Sequence, residues 1–262
     1  MSAPWVCLMY HEVLEGEPSP GAGGYFAVSR ATFARHLDLI RAAGLSGCTL
    51  TQAIDGAAGA RVAITFDDGT AGHALHALPE LAARGMAATF FVVTGWVGRP
   101  GYATWEQLRA MRGAGMEIGS HTRTHPFLSE VPAEELEREL RGSREEIDAA
   151  LGQHTVALAL PGGDAPRRAV RPLLAGAGYT VIATSRWGTN ASGRPETPVW
   201  IRRSTVPAPV GDFQRVLAGD PGLAVRRRTR ESVLGAIRGM LGPSRYARWR
   251  RRFLDAAARR RD

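Results

Sequence analysis

Short apolar runs alternate with amphipathic stretches over the first 205 or so residues. Runs rich in β-branched and aromatic residues predict buried strands, and apolar residues three or four positions apart predict helices with one buried face. The predicted strands are Val6–Tyr10, Val62–Phe66, Ala87–Val93, Met116–Gly119, Val156–Leu160 and Tyr179–Thr184. The predicted helices are Arg30–Ala43, Leu75–Arg84, Trp105–Gly113, Ala133–Leu151 and Arg167–Ala177.

The alternation of strands and helices predicts βαβ units and a parallel sheet, either as a barrel or as an open doubly wound sheet. In both arrangements ligands bind at the carboxyl ends of the strands. Polar or glycine-containing segments follow four of the predicted strands. These segments are Tyr10–His11, Phe66–Gly69, Gly119–His121 and Leu160–Gly163. The sequence therefore predicts a functional site at this edge of the sheet.

The composition is typical of a soluble globular protein, with 44% hydrophobic and 22% charged residues. No apolar run is long enough to span a membrane, and the first ten residues carry no secretory signal pattern. The only two cysteines, Cys7 and Cys48, do not have the spacing of a metal site. These features favour a reducing, cytoplasmic location.

The net positive charge of the chain comes from its C-terminal segment. From Leu223 to Asp262 there are 13 Arg and three acidic residues, whereas residues 1–222 carry 20 Arg and 22 acidic residues. A nearly neutral body argues against a protein that coats nucleic acid. Five prolines between Pro195 and Pro221 predict a looser segment ahead of the tail. We therefore expect a main domain over residues 1–212 and an Arg-rich helical extension over residues 213–262.

His121 and His125 are four residues apart, directly after a predicted strand. On a helical turn this spacing places two imidazoles on one face, where they can share a metal ion. The alternative is that they are two unrelated surface or capping histidines. The position after a buried strand favours the metal site.

Asp67 and Asp68 are adjacent carboxylates at another predicted strand end, beside Gly69. Two such groups are costly to bury without a positive partner, and a divalent cation would supply one. An ordinary Asp-Asp-Gly turn is the alternative. One Asp combined with the two histidines would form a site with open positions, which suits activation of water.

Two other chemistries use similar residues. Non-haem iron oxygenases also bind metal through two His and one carboxylate, but there the first His and the acid lie close together in sequence. Here Asp68 precedes His121 by 53 residues. A serine nucleophile is disfavoured because no Gly-x-Ser-x-Gly segment is present.

Several motifs resemble those of the polysaccharide deacetylase family, which is the NodB-homology domain of carbohydrate esterase family 4. The matching segments are Thr65–Gly69 (Thr-Phe-Asp-Asp-Gly), His121–His125 (His-Thr-x-x-His), Leu8–His11, Ala88–Phe91 and Gly115–His121. The resemblance covers roughly residues 5–205. It implies an irregular (β/α) barrel, one divalent metal ion and hydrolysis of N- or O-acetyl groups on sugars.

By motif position, Asp68, His121 and His125 resemble the family's metal ligands, and Asp67 resembles its general base. Zinc fits two His and one Asp, while manganese, cobalt, nickel and iron would fit as well. The implied substrate is an N-acetylated saccharide.

The general acid departs from the commonest family pattern. The C-terminal Leu-x-His motif that usually carries it is absent, and the last histidine is His154. The N-terminal pair Tyr10–His11 resembles instead the circularly permuted branch that includes the poly-N-acetylglucosamine deacetylases. We therefore predict His11 as the general acid, the alternative being a histidine that merely ends a buried strand.

The third motif also departs from the family, because Ala159 stands where the family has an arginine that holds the base. Arg123 or Arg167 are candidates to replace it. The resemblance implies that the N–H of Gly162, after Pro161, binds the oxyanion. Trp187 is a candidate sugar-binding residue, with ordinary packing as its alternative. The remaining histidines are assigned no role, although His73 is close to the Asp motif. They are His36, His73, His76 and His154.

The basic tail can form a helix with Tyr246, Trp249 and Phe253 on one stripe among arginines. This composition is typical of an interfacial membrane helix. A structural extension is an alternative, and a nucleic-acid-binding arm is the least favoured one.

Three functions follow from the sequence. The favoured one is a metal-dependent hydrolase that removes N-acetyl groups from an amino sugar or its polymer. The second is a barrel that binds saccharide or membrane without catalysis. The third is a deacylase or deformylase of a lipid-linked sugar or a small N-acyl metabolite.

Overall fold

The computed structural model describes residues 4–19, 26–56, 61–163, 171–193, 196–206 and 210–258. A small sheet pairs β2 (Glu12–Leu14) with β3 (Ala27–Ser29). The main sheet of the described chain has ten strands. They are β1 (Trp5–Tyr10), β4 (Ser46–Cys48), β5 (Arg61–Phe66), β6 (Thr89–Val92), β7 (Glu117–Ser120), β8 (Ala157–Ala159), β9 (Val181–Ala183), β10 (Thr189–Asn190), β11 (Val199–Ile201) and β12 (Ser204–Thr205).

The main sheet forms an α/β barrel that is nearly closed. Its strand order is β10-β1-β5-β6-β7-β8-β9-β11, with β4 added to β5. All its pairings are parallel except that of β1 with β10. At one end of this order β11 pairs with β9, while β12 pairs with β1 near the other end. Only Arg202 and Arg203 separate β11 from β12, so this short segment joins the two sides of the sheet.

Helices surround the barrel. They are α1 (Arg30–Ala42), α2 (Leu50–Ile54), α3 (Leu78–Ala82), α4 (Trp105–Gly113), α5 (Ala133–Glu137), α6 (Ser143–Leu151), α7 (Arg171–Gly176), α8 (Val210–Leu217), α9 (Pro221–Leu241) and α10 (Pro243–Ala258). A π-helical turn over His73–Ala77 precedes α3, and another over Arg138–Gly142 joins α5 to α6. Part of the predicted helix Arg167–Ala177 lies outside the described residues.

Side-chain hydrogen bonds define where two helices begin. The hydroxyl of Ser29 accepts a hydrogen bond from the N–H of Thr32 at the start of α1. At the start of α4, Thr104 and Gln107 form both hydrogen bonds of a capping box. Both features match the sequence pattern, because such caps are made by residues close together in the chain.

Alternate residues of the strands point into different hydrophobic clusters, as the twofold period of a strand requires. Leu8 and Phe66 pack with Phe33 and Leu37 of α1 in one cluster. Cys7 belongs to a separate cluster with small and aliphatic residues of β5, β8, β9 and β11. Both cysteines are buried and free.

The segment after Pro195 is more ordered than predicted. It contains β11, β12 and α8, which complete the barrel. The expected boundary between residues 212 and 213 falls inside α8. Phe213 is buried and stacks on His36 of α1, with ring centroids 4.0 Å apart. Within the described part of the chain, no helix is both long and apolar enough to cross a membrane.

Candidate active site

Three side chains at the carboxyl ends of β5 and β7 form a cluster suited to a metal ion. The Nε2 atoms of His121 and His125 each lie 3.5 Å from Oδ1 of Asp68. One donor atom from each of the three residues lies within 4.8 Å of the others. Two imidazoles and one carboxylate are the donor set of a catalytic zinc site with an open position. The residues present therefore fit a divalent cation.

The two histidines are not on a helical turn, so that part of the prediction was wrong. The segment from His121 to His125 is an irregular loop in which Thr122 and His125 have φ values of 67° and 63°. Asp68 has a φ of 78°. Left-handed backbone in non-glycine residues is unfavourable and often marks functional sites. Among the described residues, these three are the non-glycine residues with positive φ.

Hydrogen bonds hold this strained loop in place. The N–H of Thr122 donates to the hydroxyl of Ser120 at 3.0 Å, and the N–H of His125 donates to the hydroxyl of Thr122 at 3.1 Å. The carboxylate of Glu139, in the π-helical turn, accepts the N–H groups of residues 123 and 124, each at 2.9 Å. The loop between the two imidazoles is therefore fixed by side chains on two elements.

The electrostatics of the cluster favour metal binding. Nδ1 of His121 lies 2.9 Å from the carbonyl oxygen of Ala159, which places the proton on Nδ1 and leaves Nε2 free as a ligand. Burial lowers the pKa of His121 to about 3 and also lowers the pKa of His125. Burial raises the pKa of Asp68, and the charge on Asp67 adds to that rise. A cation would offset this cost.

Asp67 is buried beside the cluster and pairs with Arg203. Nη1 and Nη2 of the guanidinium donate to the two carboxylate oxygens at 2.5 and 2.8 Å. Oδ2 of Asp67 lies 4.0 Å from Nε2 of His121. Burial acts to raise the pKa of Asp67, but the charges of Arg203 and His121 outweigh it and hold this pKa well below its usual range. Asp67 is therefore ionised at neutral pH.

Arg203 supplies the guanidinium that the third motif lacks. It is fully buried between β11 and β12, and its Nε donates to the carbonyl oxygen of Thr184 at 2.9 Å. Neither predicted replacement has this role in the structure. The side chain of Arg123 donates instead to Glu146 at 2.9 Å, and Arg167 lies outside the described residues. A signal for Arg203 was its place between two short runs that each contain two β-branched residues, Val199–Ile201 and Ser204–Val206.

His11 directly follows β1, which pairs with β5, the strand that ends just before Asp67. It is half-buried, and its ring packs against Phe26 with centroids 4.6 Å apart. Its positive form would lower the pKa values of both Asp67 and Asp68. His73, which the sequence left without a role, is buried and its Nε2 contacts the carbonyl oxygen of His11. His73 thus positions the backbone of His11.

Gly162 lies in a 3₁₀ turn over Pro161–Gly163, directly after β8. Its φ is 60°, and a Cβ at this position would lie 2.3 Å from Cε1 of Phe127. Pro161 is buried, whereas Gly162 is exposed. Since β8 is adjacent to β7, this turn lies at the same edge of the barrel as His121.

Trp187 does not offer a face to a sugar, so its candidate role was wrong. It is only 5% exposed and belongs to the hydrophobic core. The guanidinium of Arg227 in α9 lies 5.0 Å from the centre of its ring. Packing between the barrel and α9 explains this tryptophan.

Two aromatic side chains beside the metal cluster were missed in the sequence. The ring of Trp96 lies 5.3 Å from that of His125, and the ring of Tyr102 lies 5.0 Å from that of Trp96. Both residues are half-buried in the segment that follows β6. Their position after a predicted buried strand, among three glycines, was the available signal.

The chain is similar in sequence and in fold to known proteins. The Polysaccharide deacetylase family model matches residues 56–182. The match contains Asp67, Asp68, both histidines of the cluster and Gly162, whereas His11 and Arg203 lie outside it.

Two curated bacterial proteins are similar in sequence. The putative polysaccharide deacetylase YxkH of Bacillus subtilis (strain 168) is 33% identical over 39% of this chain and 37% of its own length. The chitooligosaccharide deacetylase of Rhizobium leguminosarum bv. trifolii is 36% identical over 36% of this chain and 42% of its own length. The matches thus span about two fifths of each relative. The family model and the two relatives each match less than half of this chain.

The fold is shared with solved deacetylase structures. The Streptococcus pyogenes deacetylase PplD, solved in complex with acetate, superimposes with a TM-score of 0.74. The similarity covers 84% of this chain and 100% of that one, at 22% sequence identity. The α/β barrel predicted from the sequence is thereby confirmed.

Proposed function

We propose that this protein is a metal-dependent hydrolase that removes N-acetyl groups from an amino sugar, an oligosaccharide or a polysaccharide. The observation that carries the proposal is the Asp68–His121–His125 cluster with the Arg203-bound carboxylate of Asp67 beside it. Zinc suits this donor set, with manganese, cobalt, nickel and iron as alternatives. The names of the matched family and of both relatives support a saccharide substrate.

A divalent cation held by the three ligands would polarise the acyl oxygen and lower the pKa of a water molecule. Asp67 is the general base that accepts the proton of the attacking water. Arg203 keeps this carboxylate ionised and fixes its orientation through two hydrogen bonds. Because the same contact lowers the basicity of Asp67, the water must be made more acidic before its proton can transfer.

The leaving amine needs a proton, and His11 is the general acid that supplies it. The position of His11 at the end of β1 and its electrostatic influence on both aspartates support this role. The N–H of Gly162 stabilises the developing oxyanion. A histidine acid ahead of the Asp motif also supports placing the chain in the circularly permuted branch of the family.

Trp96 and Tyr102 are the proposed saccharide contacts. The ring of Trp96 lies beside His125, and the ring of Tyr102 packs against Trp96. Aromatic side chains combine a large apolar face with a polar group, which suits packing against a sugar ring. The non-catalytic alternative loses its main support, because Arg203 replaces the arginine missing from the third motif.

The test is release of free amine and acetate from a panel of N-acetylated saccharides, with added metal and with chelator. The proposal expects turnover that chelator abolishes and that Asp67→Asn lowers by about 10²–10⁴-fold. Asp55→Asn, a substitution at an exposed helix end, is the matched control and should keep full activity. Unchanged turnover in Asp67→Asn would overturn the role of Asp67.

A further inference from the structure

The helices α9 and α10 form a basic C-terminal hairpin, Pro221–Ala258, that the proposed reaction does not use. It carries ten arginines and only two acidic residues, Glu231 and Asp255. It also carries most of the large hydrophobic side chains exposed in the described chain. Those in the hairpin are Val225, Val233, Met240, Leu241, Trp249 and Phe253. The C-terminal hairpin therefore combines a high density of positive charge with exposed apolar side chains.

Three of the four exposed apolar residues of α9 share one face. Val225, Val233 and Met240 are 60%, 57% and 78% exposed. At 3.6 residues per turn they fall within about 80° of arc on the helix. In α10 the partly exposed rings of Trp249 and Phe253 stack with centroids 5.8 Å apart. Each helix thus presents a narrow apolar stripe among arginines.

A cavity of about 230 Å³ lies beside the stripe of α9. Three of the five residues that line it are Arg226, Arg227 and Arg230, and the others are Leu223 and Asp212. Three guanidinium groups against one carboxylate give the cavity a net positive charge. Guanidinium groups match phosphate oxygens in both charge and geometry, so the cavity suits a phosphate-containing group.

The hairpin contacts both sides of the catalytic edge. At the start of α10, the N–H of Ser244 donates to Glu130 at 3.2 Å, in the segment that follows His125. Further along α10, the guanidinium of Arg250 lies 5.6 Å from the centre of the Phe26 ring. Phe26 in turn packs on His11. A surface bound by the hairpin would therefore lie close to the catalytic residues.

We propose that the C-terminal hairpin docks the protein onto a bilayer containing anionic phospholipids. The arginines bind lipid phosphates, and the apolar stripes enter the boundary between head groups and acyl chains. If the proposed function holds, docking presents the site to a saccharide attached to a membrane lipid. The exposed aliphatic residues of α9 favour lipid over nucleic acid, because phosphate contacts and base stacking would leave them in water.

Co-sedimentation with vesicles tests the docking without measuring activity. Vesicles of phosphatidylcholine and phosphatidylglycerol should bind the full chain, and added salt or vesicles of phosphatidylcholine alone should weaken binding. Each arginine near such a surface contributes about fivefold to the partition coefficient. The triple variant Arg248→Gln, Arg251→Gln, Arg252→Gln should therefore lose about a hundredfold in binding.

The matched control removes the same charge from helices on the barrel. Arg41→Gln, Arg109→Gln, Arg112→Gln should bind the vesicles as the parent does. Val233→Ser with Met240→Ser should weaken binding about tenfold or more. Its control, Leu75→Ser with Leu173→Ser, removes exposed leucines elsewhere and should have no such effect.

The docking proposal would be overturned if the protein bound neutral and anionic vesicles equally well. It would also be overturned if the hairpin variants and their controls lost vesicle binding to the same extent. Binding to duplex DNA without binding to vesicles would assign the hairpin to nucleic acid instead.

A second experiment compares amine release from two substrates, a soluble N-acetylated saccharide and a vesicle-borne N-acetylated glycolipid. The triple arginine variant of the hairpin should slow amine release from the glycolipid and leave release from the soluble saccharide unchanged. No release from either substrate would refute the proposed function, whereas vesicle binding would still be judged by sedimentation.

Discussion

Arg203 holds both carboxylate oxygens of Asp67, at 2.5 and 2.8 Å, across 136 residues of sequence. Both side chains are buried next to the Asp68–His121–His125 cluster. A buried ion pair of this kind contributes little net stability compared with apolar packing, but losing one partner leaves an unpaired buried charge. The ion pair therefore links the segment that joins β11 to β12 with Asp67, the proposed base, and fixes the ionisation and orientation of that carboxylate.

The first prediction concerns this ion pair. Arg203→Met leaves Asp67 buried without its partner, so we expect the free energy of unfolding to fall by about 3–5 kcal/mol. Arg203→Lys should recover only part of that loss, because an ammonium group cannot bind both oxygens in the same geometry. Urea denaturation measures both variants.

The double variant Arg203→Met, Asp67→Asn separates charge from packing. It removes both charges, so it should be more stable than Arg203→Met alone while remaining without activity. If Arg203→Met unfolds at the same urea concentration as the parent, the buried pair does not have the role described here.

The second prediction concerns the metal ligands. Asp68→Ala, His121→Ala and His125→Ala should each lower the bound metal measured by elemental analysis after dialysis, because each removes one of three protein ligands. His154→Ala is the control, because this exposed histidine contacts Arg144 away from the cluster. Bound metal should also raise the thermal midpoint of the parent, since a ligand that binds only the folded state stabilises it. Full metal content in all three ligand variants would contradict the site.

The third prediction concerns saccharide binding beside His125. Trp96→Ala removes the ring that lies 5.3 Å from the His125 imidazole. We expect KM for an N-acetylated oligosaccharide to rise about tenfold with a smaller change in kcat, because a ground-state contact is lost. Trp249→Ala removes a partly exposed tryptophan of α10 and should leave KM for the soluble substrate unchanged. Equal effects of the two substitutions would argue against Trp96 as a sugar contact.

The fourth prediction concerns His36 and the acid side of the stability profile. Burial lowers the pKa of His36 from 6.5 to about 4, and its ring is stacked on Phe213. Between these pH values the unfolded chain binds the proton more strongly than the folded one. The free energy of unfolding should therefore fall as the pH drops through this window, by up to about 3 kcal/mol from this group.

His36→Phe removes this titration, so its stability should depend less steeply on pH between 6.5 and 4 than that of the parent. His73 and His121 have lowered pKa values as well, and they keep part of the slope in both proteins. His154→Phe, at an exposed position, should leave the slope unchanged. Parallel profiles for the parent and His36→Phe would exclude His36 as the cause.

The Asp68–His121–His125 cluster was predictable because its residues lie in short motifs at the ends of strands that the local pattern reveals. Asp67, Asp68, His121 and His125 follow buried strands, and parallel strands bring their carboxyl ends to one edge. The geometry of these residues could not be predicted from the sequence in the same way. The His121–His125 loop depends on positive φ values and on Glu139 from another element, so spacing alone wrongly indicated a helical turn.

The sequence by itself determined the alternation of strands and helices, the caps of α1 and α4 and the candidate ligands, because each depends on residues close together in the chain. Only the tertiary structure decided that Arg203 would hold Asp67, that His73 would support His11 and that Trp187 would be buried. The contacts of Arg203 and Trp187 arise when β11 and β12 join the two sides of the sheet and α9 covers the core. The contact of His73 arises where the π-helical turn before α3 packs on the end of β1. Packing between residues far apart in sequence leaves no periodic signal in the chain, and for this reason the pattern could not reveal them.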